Sequence, residues 1–118
     1  MAEDEPLISD LIALTLRDAG FELVCVDTGV DAIAELDRTP ALFAGLVTDI
    51  RMGGGQDGWA VARRARELIH DVVVVYVSGD SEEQWAVHGV PHSIMVPKPF
   101  APGQIVTAIS LLLSRRDA

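Results

Sequence analysis

The stretch Val72-Val73-Val74-Val75-Tyr76-Val77-Ser78 decides the fold. Five valines and a tyrosine in succession favour extended backbone. The run is apolar at every alternate position on both sides. It therefore reads as a strand covered on both faces, the usual situation in a parallel sheet. Working outward, Leu46 to Thr48 reads as a short buried strand, and Ser93 to Val96 and Phe21 to Val26 as two more. Helical segments lie between and around them. Pro6 to Ala19 has proline in its first turn, Leu7, Leu11 and Leu14 sharing a face, and Gly20 as its stop. Val30 to Arg38 turns Ile33 and Leu36 inward and ends at Thr39-Pro40. Asp57 caps a helix whose apolar side carries Val61, Ala65, Leu68 and Ile69. Asp80-Ser81 opens a short helix, with Glu83 and Gln84 placed for capping-box contacts, and Gly89-Val90-Pro91 ends it early. Pro102 starts a last helix with Ile105, Val106, Ile109, Leu112 and Leu113 on one side. Helices alternating with strands predict an α/β domain on a parallel sheet.

A chain of 118 residues, 49% of them hydrophobic, supports one domain with a core of its own. A formal net charge of −9 disfavours direct contact with nucleic acid or an anionic membrane, and Arg115-Arg116 is too short a basic run to reverse that. The single cysteine, Cys25, excludes an internal disulfide and reads as a small core residue. The acidic start lacks the basic end of a secretory signal. A reducing cytoplasm is the expected compartment. His70, His88 and His92 read as surface residues, since no cysteine–histidine spacing suggests zinc.

In open parallel sheets, ligands gather at the carboxyl ends of the strands. Asp49 follows one predicted strand directly, Ser78 follows another, and Lys98 follows a third after one proline. Glu3, Asp4 and Glu5 stand just before the first helix. Clustered carboxylates call for a hard divalent cation with oxygen ligands. A metal-bound carboxylate beside a lysine and a hydroxyl can accept a phosphoryl group, because the cations neutralise charge on the transferring oxygens.

The ordered set Glu3-Asp4-Glu5-Pro6, Val47-Thr48-Asp49-Ile50-Arg51-Met52, Asp57-Gly58, Val77-Ser78-Gly79-Asp80 and Lys98-Pro99-Phe100 resembles a response-regulator receiver domain of bacterial two-component signalling, of the chemotaxis-regulator kind. The resemblance implies a flavodoxin-like doubly wound sheet of order 2-1-3-4-5 with helices on both faces. It implies residues 1–118 as one receiver domain without an output domain. Asp49 would be the phosphoacceptor, Ser78 the switch hydroxyl and Lys98 the contact to the phosphoryl group, with a cis bond to Pro99. Mg²⁺ would be held by Glu3 (through water), Asp4, Asp49 and the backbone carbonyl of Arg51. The donor would be a phosphohistidine on a histidine kinase or phosphotransfer protein. The chain would act as a switch that catalyses its own phosphorylation and dephosphorylation, not as a conventional enzyme. Phosphorylation would draw Ser78 inward and repack the face of the last two helices and the strand between them for a downstream protein. Trp85 and Leu111 would serve either as exposed contacts there or as core. Leu111 with Ile105 would suit a homodimer through the last helix.

The sequence departs from the family pattern in three places. Only Met1 and Ala2 precede Glu3, so the first strand, central in the family's sheet, is largely missing. About four buried apolar side chains, roughly 1.5–3 kcal/mol each, go with it, unless an upstream start or a neighbouring subunit fills the gap. Met95 stands where the family usually has an aromatic, so an aromatic flip cannot carry the output. Gly53-Gly54-Gly55 reads as a flexible turn one residue longer than usual, without the lysine of a nucleotide loop. Arg51 and Asp80 flank the site and are expected to pair, slowing water's access. Two other readings stand beside the switch. One is a degenerate receiver that only scaffolds partners. The other is a small phosphate-ester hydrolase, which would need a general acid–base near Asp49 that the sequence does not supply.

Overall fold

The computed structural model describes residues 1–52, 55–80 and 82–117, and the side chains of all of these except Glu82 and Asp117. Gly53, Gly54 and Ser81 lie outside the described residues, and with them most of the predicted glycine turn and the predicted start of the short helix.

The described chain runs α1 (Pro6–Asp18), α2 (Gly29–Arg38), a 3₁₀ turn, β1 (Gly45–Asp49), α3 (Gly58–Leu68), β2 (Val73–Ser78), a second 3₁₀ turn, α4 (Trp85–His88), β3 (Ser93–Pro97) and α5 (Pro102–Asp117). The strands form a parallel sheet ordered β1-β2-β3. The register pairs Asp49 with Val77, and Ser78 with Pro97. Every residue of β2 is buried, as its composition requires. Alternation along it divides the core in two. Val73, Val75 and Val77 pack with Ile12, Leu16, Ile105 and Ile109 on one face. Val74 and Tyr76 pack with Leu36, Trp59, Val61 and Ala65 on the other. Helices thus cover both faces, and the doubly wound α/β architecture is present.

The sheet's far side is reduced. Phe21 to Val26, expected as a strand, forms only an isolated parallel bridge, Val26 to Ala2, and Ala2 also bridges to Thr48. The reason is the short partner. Met1 to Glu3 offers only a few bonds, among them Met1 N–H to Val24 O (2.7 Å), Val26 N–H to Met1 O (2.9 Å) and Glu3 N–H to Val26 O (3.1 Å). These three residues still lie between the 21–26 segment and β1, so the expected order survives as a remnant. Beside the remnant lies a cavity of about 290 Å³, lined among others by Met1, Leu23, Val47 and Ile109.

The face that Leu7, Leu11 and Leu14 share is exposed, because α1 docks through Ile12, Ala13 and Leu16 on its other side. Two further expectations are corrected. Cys25 is exposed, because the segment carrying it is not clamped in a ladder. Ile105 is fully buried and offers nothing to a partner, whereas Leu111 is exposed. The local signals held elsewhere. Gly20 has φ +96° after α1, and the Asp57 carboxylate accepts the Ala60 N–H at the start of α3.

Gly58 places α3 against the end of β1. A Cβ there would collide with the Asp49 carbonyl and the Ile50 Cα, both backbone. At Gly103 in α5 a Cβ meets nothing. Gly58→Ala should therefore lose about 1–3 kcal/mol in urea unfolding, and Gly103→Ala should gain about 0.4–1 kcal/mol. Equal stabilities would contradict this packing.

Candidate functional site

Three strand ends and the segment before α1 meet at one rim. Asp49 is the last residue of β1, and its backbone N–H donates to Ala2 O at 2.8 Å. That bond seats the Met1–Glu3 remnant beside it, which is how so short a segment still delivers Glu3 to the site. The Asp49 carboxylate is buried. Its Oδ1 accepts the Ile50 N–H at 2.7 Å and its Oδ2 accepts Lys98 Nζ at 2.9 Å. Ser78 ends β2, is buried, and accepts the Asp80 N–H on its Oγ at 3.2 Å. Its carbonyl accepts the Lys98 N–H at 2.7 Å, which fixes the start of the loop after β3. The Lys98–Pro99 bond is cis.

Lys98 Nζ is the hub. Besides Asp49 it reaches Glu3 Oε1 and Glu5 Oε1, each at 3.3 Å. The third contact was not singled out in the sequence, where Glu5 is one acid in a run. Carboxylate oxygens of Glu3, Asp4, Glu5 and Asp49 lie within 4.8 Å of one another. Glu3 and Asp49 are buried, and Asp4 and Glu5 are exposed. Three of these four carboxyl groups thus share one ammonium. Burial pushes the Glu3 carboxyl up to about 8, helped by its hydrogen bond to Asp49 and by that residue's charge, and opposed by Lys98. For Lys98 burial acts downward. The Asp49 hydrogen bond and charge, with Glu3, outweigh it and hold the ammonium above its ordinary value. Glu3 Oε2 is buried with no hydrogen-bond partner among the described residues. An orphaned carboxylate oxygen within a four-acid cluster fits a hard cation with oxygen ligands.

Arg51 Nε pairs with Asp80 Oδ1 at 2.9 Å, as expected, and both side chains are well exposed. His70, His88 and His92 are on the surface. Trp85 is 38% exposed and donates its indole N–H to Ser93 Oγ at 2.9 Å. No helix is long and apolar enough to cross a membrane among the described residues.

The fold and site together define a doubly wound α/β domain with acids, a hydroxyl and a lysine at the carboxyl edge of its parallel sheet, and comparison narrows the class. The family model for the response regulator receiver domain matches residues 1–110. A response regulator receiver protein of Anaeromyxobacter is 34% identical over 116 residues, covering 97% of this chain and 44% of that protein. The sensory transduction protein RegX3 of Mycobacterium tuberculosis is 30% identical over 116 residues, covering 98% of this chain and 50% of its own length. The crystal structure of a response regulator receiver protein from Sinorhizobium medicae superposes with a TM-score of 0.92 at 44% identity, covering 98% of this chain and 92% of that one. The chain belongs to the response regulator receiver family. It spans about half the length of the curated relatives it matches.

The raised Glu3 carboxyl fixes a pH dependence. A carboxyl held near 8 in the folded chain keeps its proton when the unfolded chain, near 4.5, has lost it. Its contribution is full below about 4.5 and is lost as pH rises through 8. In a chelator-containing buffer, the Tm of the wild type should fall relative to that of Glu3→Gln between pH 5 and pH 8. Parallel curves would contradict the assignment.

Proposed function

We propose that this receiver domain is a phosphorylation-dependent switch in which Asp49 accepts the phosphoryl group. The observation that carries the reading is the 2.9 Å contact of Lys98 Nζ with the buried Asp49 carboxylate, inside a cluster of four acids. The donor is a phosphohistidine of a histidine kinase or phosphotransfer protein. An Asp49 oxygen attacks phosphorus, the phosphorus–nitrogen bond breaks, and the imidazole leaves and takes a proton from solvent. Lys98 supplies positive charge to the phosphoryl oxygens, as a preorganised cation does in a shielded site. Ser78 supplies a hydroxyl at the neighbouring strand end.

Mg²⁺ is the proposed cofactor, with Asp4, Asp49 and the Arg51 backbone carbonyl as ligands and Glu3 holding a bound water. When bound, it neutralises charge on the phosphoryl oxygens. Without it, Lys98 alone offsets the acids. Hydrolysis of the acyl phosphate by water resets the switch. The signal is read by a downstream protein at the α4–β3–α5 face, where Trp85 and Leu111 are exposed. The compartment proposed is the cytoplasm, where such donors reside.

The test is intact mass after incubation with a small phosphodonor. The wild type should gain one phosphoryl group in Mg²⁺, and should gain none in chelator. Asp49→Ala should gain none in either. A wild type that gains nothing would overturn the switch and leave the partner-binding scaffold as the better account.

A further inference from the structure

Helix α4 has only four residues and none of them is buried. Val87 stands 78% exposed. A helix this short, with no fully buried apolar side chain, depends for its position on the polar bonds that hold it. Those bonds form one relay. The Trp85 indole N–H donates to Ser93 Oγ at 2.9 Å, and the Ser93 hydroxyl donates to the Val90 carbonyl at 2.7 Å. The Val90 N–H donates to the Tyr76 hydroxyl at 3.1 Å. Tyr76 is fully buried in β2. Its ring also meets Trp59 at 4.8 Å, and Trp59 meets the His88 ring of α4 at 5.9 Å. Two routes therefore run from one tyrosine to the two ends of α4.

Tyr76 lies two residues before Ser78, so both side chains leave the same face of β2. Across the ladder its partner is Met95. A thioether donates no hydrogen bond and accepts one weakly, so the hydroxyl that accepts the Val90 N–H comes from β2, while the Val90 carbonyl is met by Ser93 at the start of β3.

We propose that Tyr76 is a positioning residue that ties α4 to the strand ending in Ser78, so that a shift of that strand end is passed to the α4 surface. The coupling rests on the reading of Asp49 as phosphoacceptor. The tether does not.

The experiment follows the Trp85 indole and Val90 amide resonances in ¹H–¹⁵N spectra of the whole chain, with Trp85→Phe identifying the indole. Tyr76→Phe removes the hydroxyl at one end of the relay, and Ser93→Ala breaks it at the other should the first variant fold poorly. Without phosphodonor, both variants should displace the two resonances. With phosphodonor and Mg²⁺, both should take up the phosphoryl group at the wild-type rate. The phosphorylation-induced displacement of the Trp85 indole should shrink at least roughly twofold. Unmoved resonances in the unphosphorylated variants would overturn the tether, and a full-sized displacement on phosphorylation would overturn the coupling. If the wild type accepts no phosphoryl group, the reading of the site falls and the coupling falls with it, while the unphosphorylated spectra still decide the tether.

Discussion

The contact between Lys98 Nζ and Asp49 Oδ2 is the one on which the site depends. A carboxylate buried at a strand end is costly unless an opposite charge meets it. Here that charge arrives from the loop after β3, two strands away, and the intervening strand sets the distance. Because β2 pairs with both neighbours in fixed parallel register, Asp49, Ser78 and Lys98 have little freedom relative to one another. The same ammonium then serves Glu3 and Glu5, so a single side chain ties together three of the four acids at the rim. One cation among four carboxyl groups leaves an imbalance. The structure expresses it in the raised Glu3 carboxyl and its unpartnered oxygen.

That imbalance gives the short N-terminal segment its importance. Met1 to Glu3 gives the core a buried Ala2 and a partly buried Met1, and it also carries a buried acid into the cluster. Bonds to Val47, Asp49 and Val26 hold it there.

The central strand and the gathering of polar side chains at its carboxyl end were legible in the sequence for physical reasons. A run of valines has few alternatives to a doubly buried strand, and polar residues directly after such runs must lie at the sheet's edge. Other features were not legible. In α1, Ile8, Ile12 and Leu16 repeat at helical spacing just as Leu7, Leu11 and Leu14 do, so periodicity alone could not choose the buried stripe. Cys25 depended on whether Phe21 to Val26 would find a ladder, which is a matter of partner length. Glu5 gave no signal of its own, because nothing in an acidic run tells which members a distant lysine will reach. Tyr76 did carry a signal, as the only residue of Val72 to Val77 with a polar side-chain atom. A buried hydroxyl needs a partner, and the Val90 N–H is that partner.

If four clustered acids share too little positive charge, a divalent cation must bind the folded chain and stabilise it by mass action. The most direct test is the Tm at pH 7.5 as Mg²⁺ is raised from zero against a matched monovalent salt. A concentration-dependent rise in the wild type, absent in Asp49→Asn, is the result this account predicts. A Tm that does not respond to Mg²⁺, or that rises equally in both chains, would contradict it.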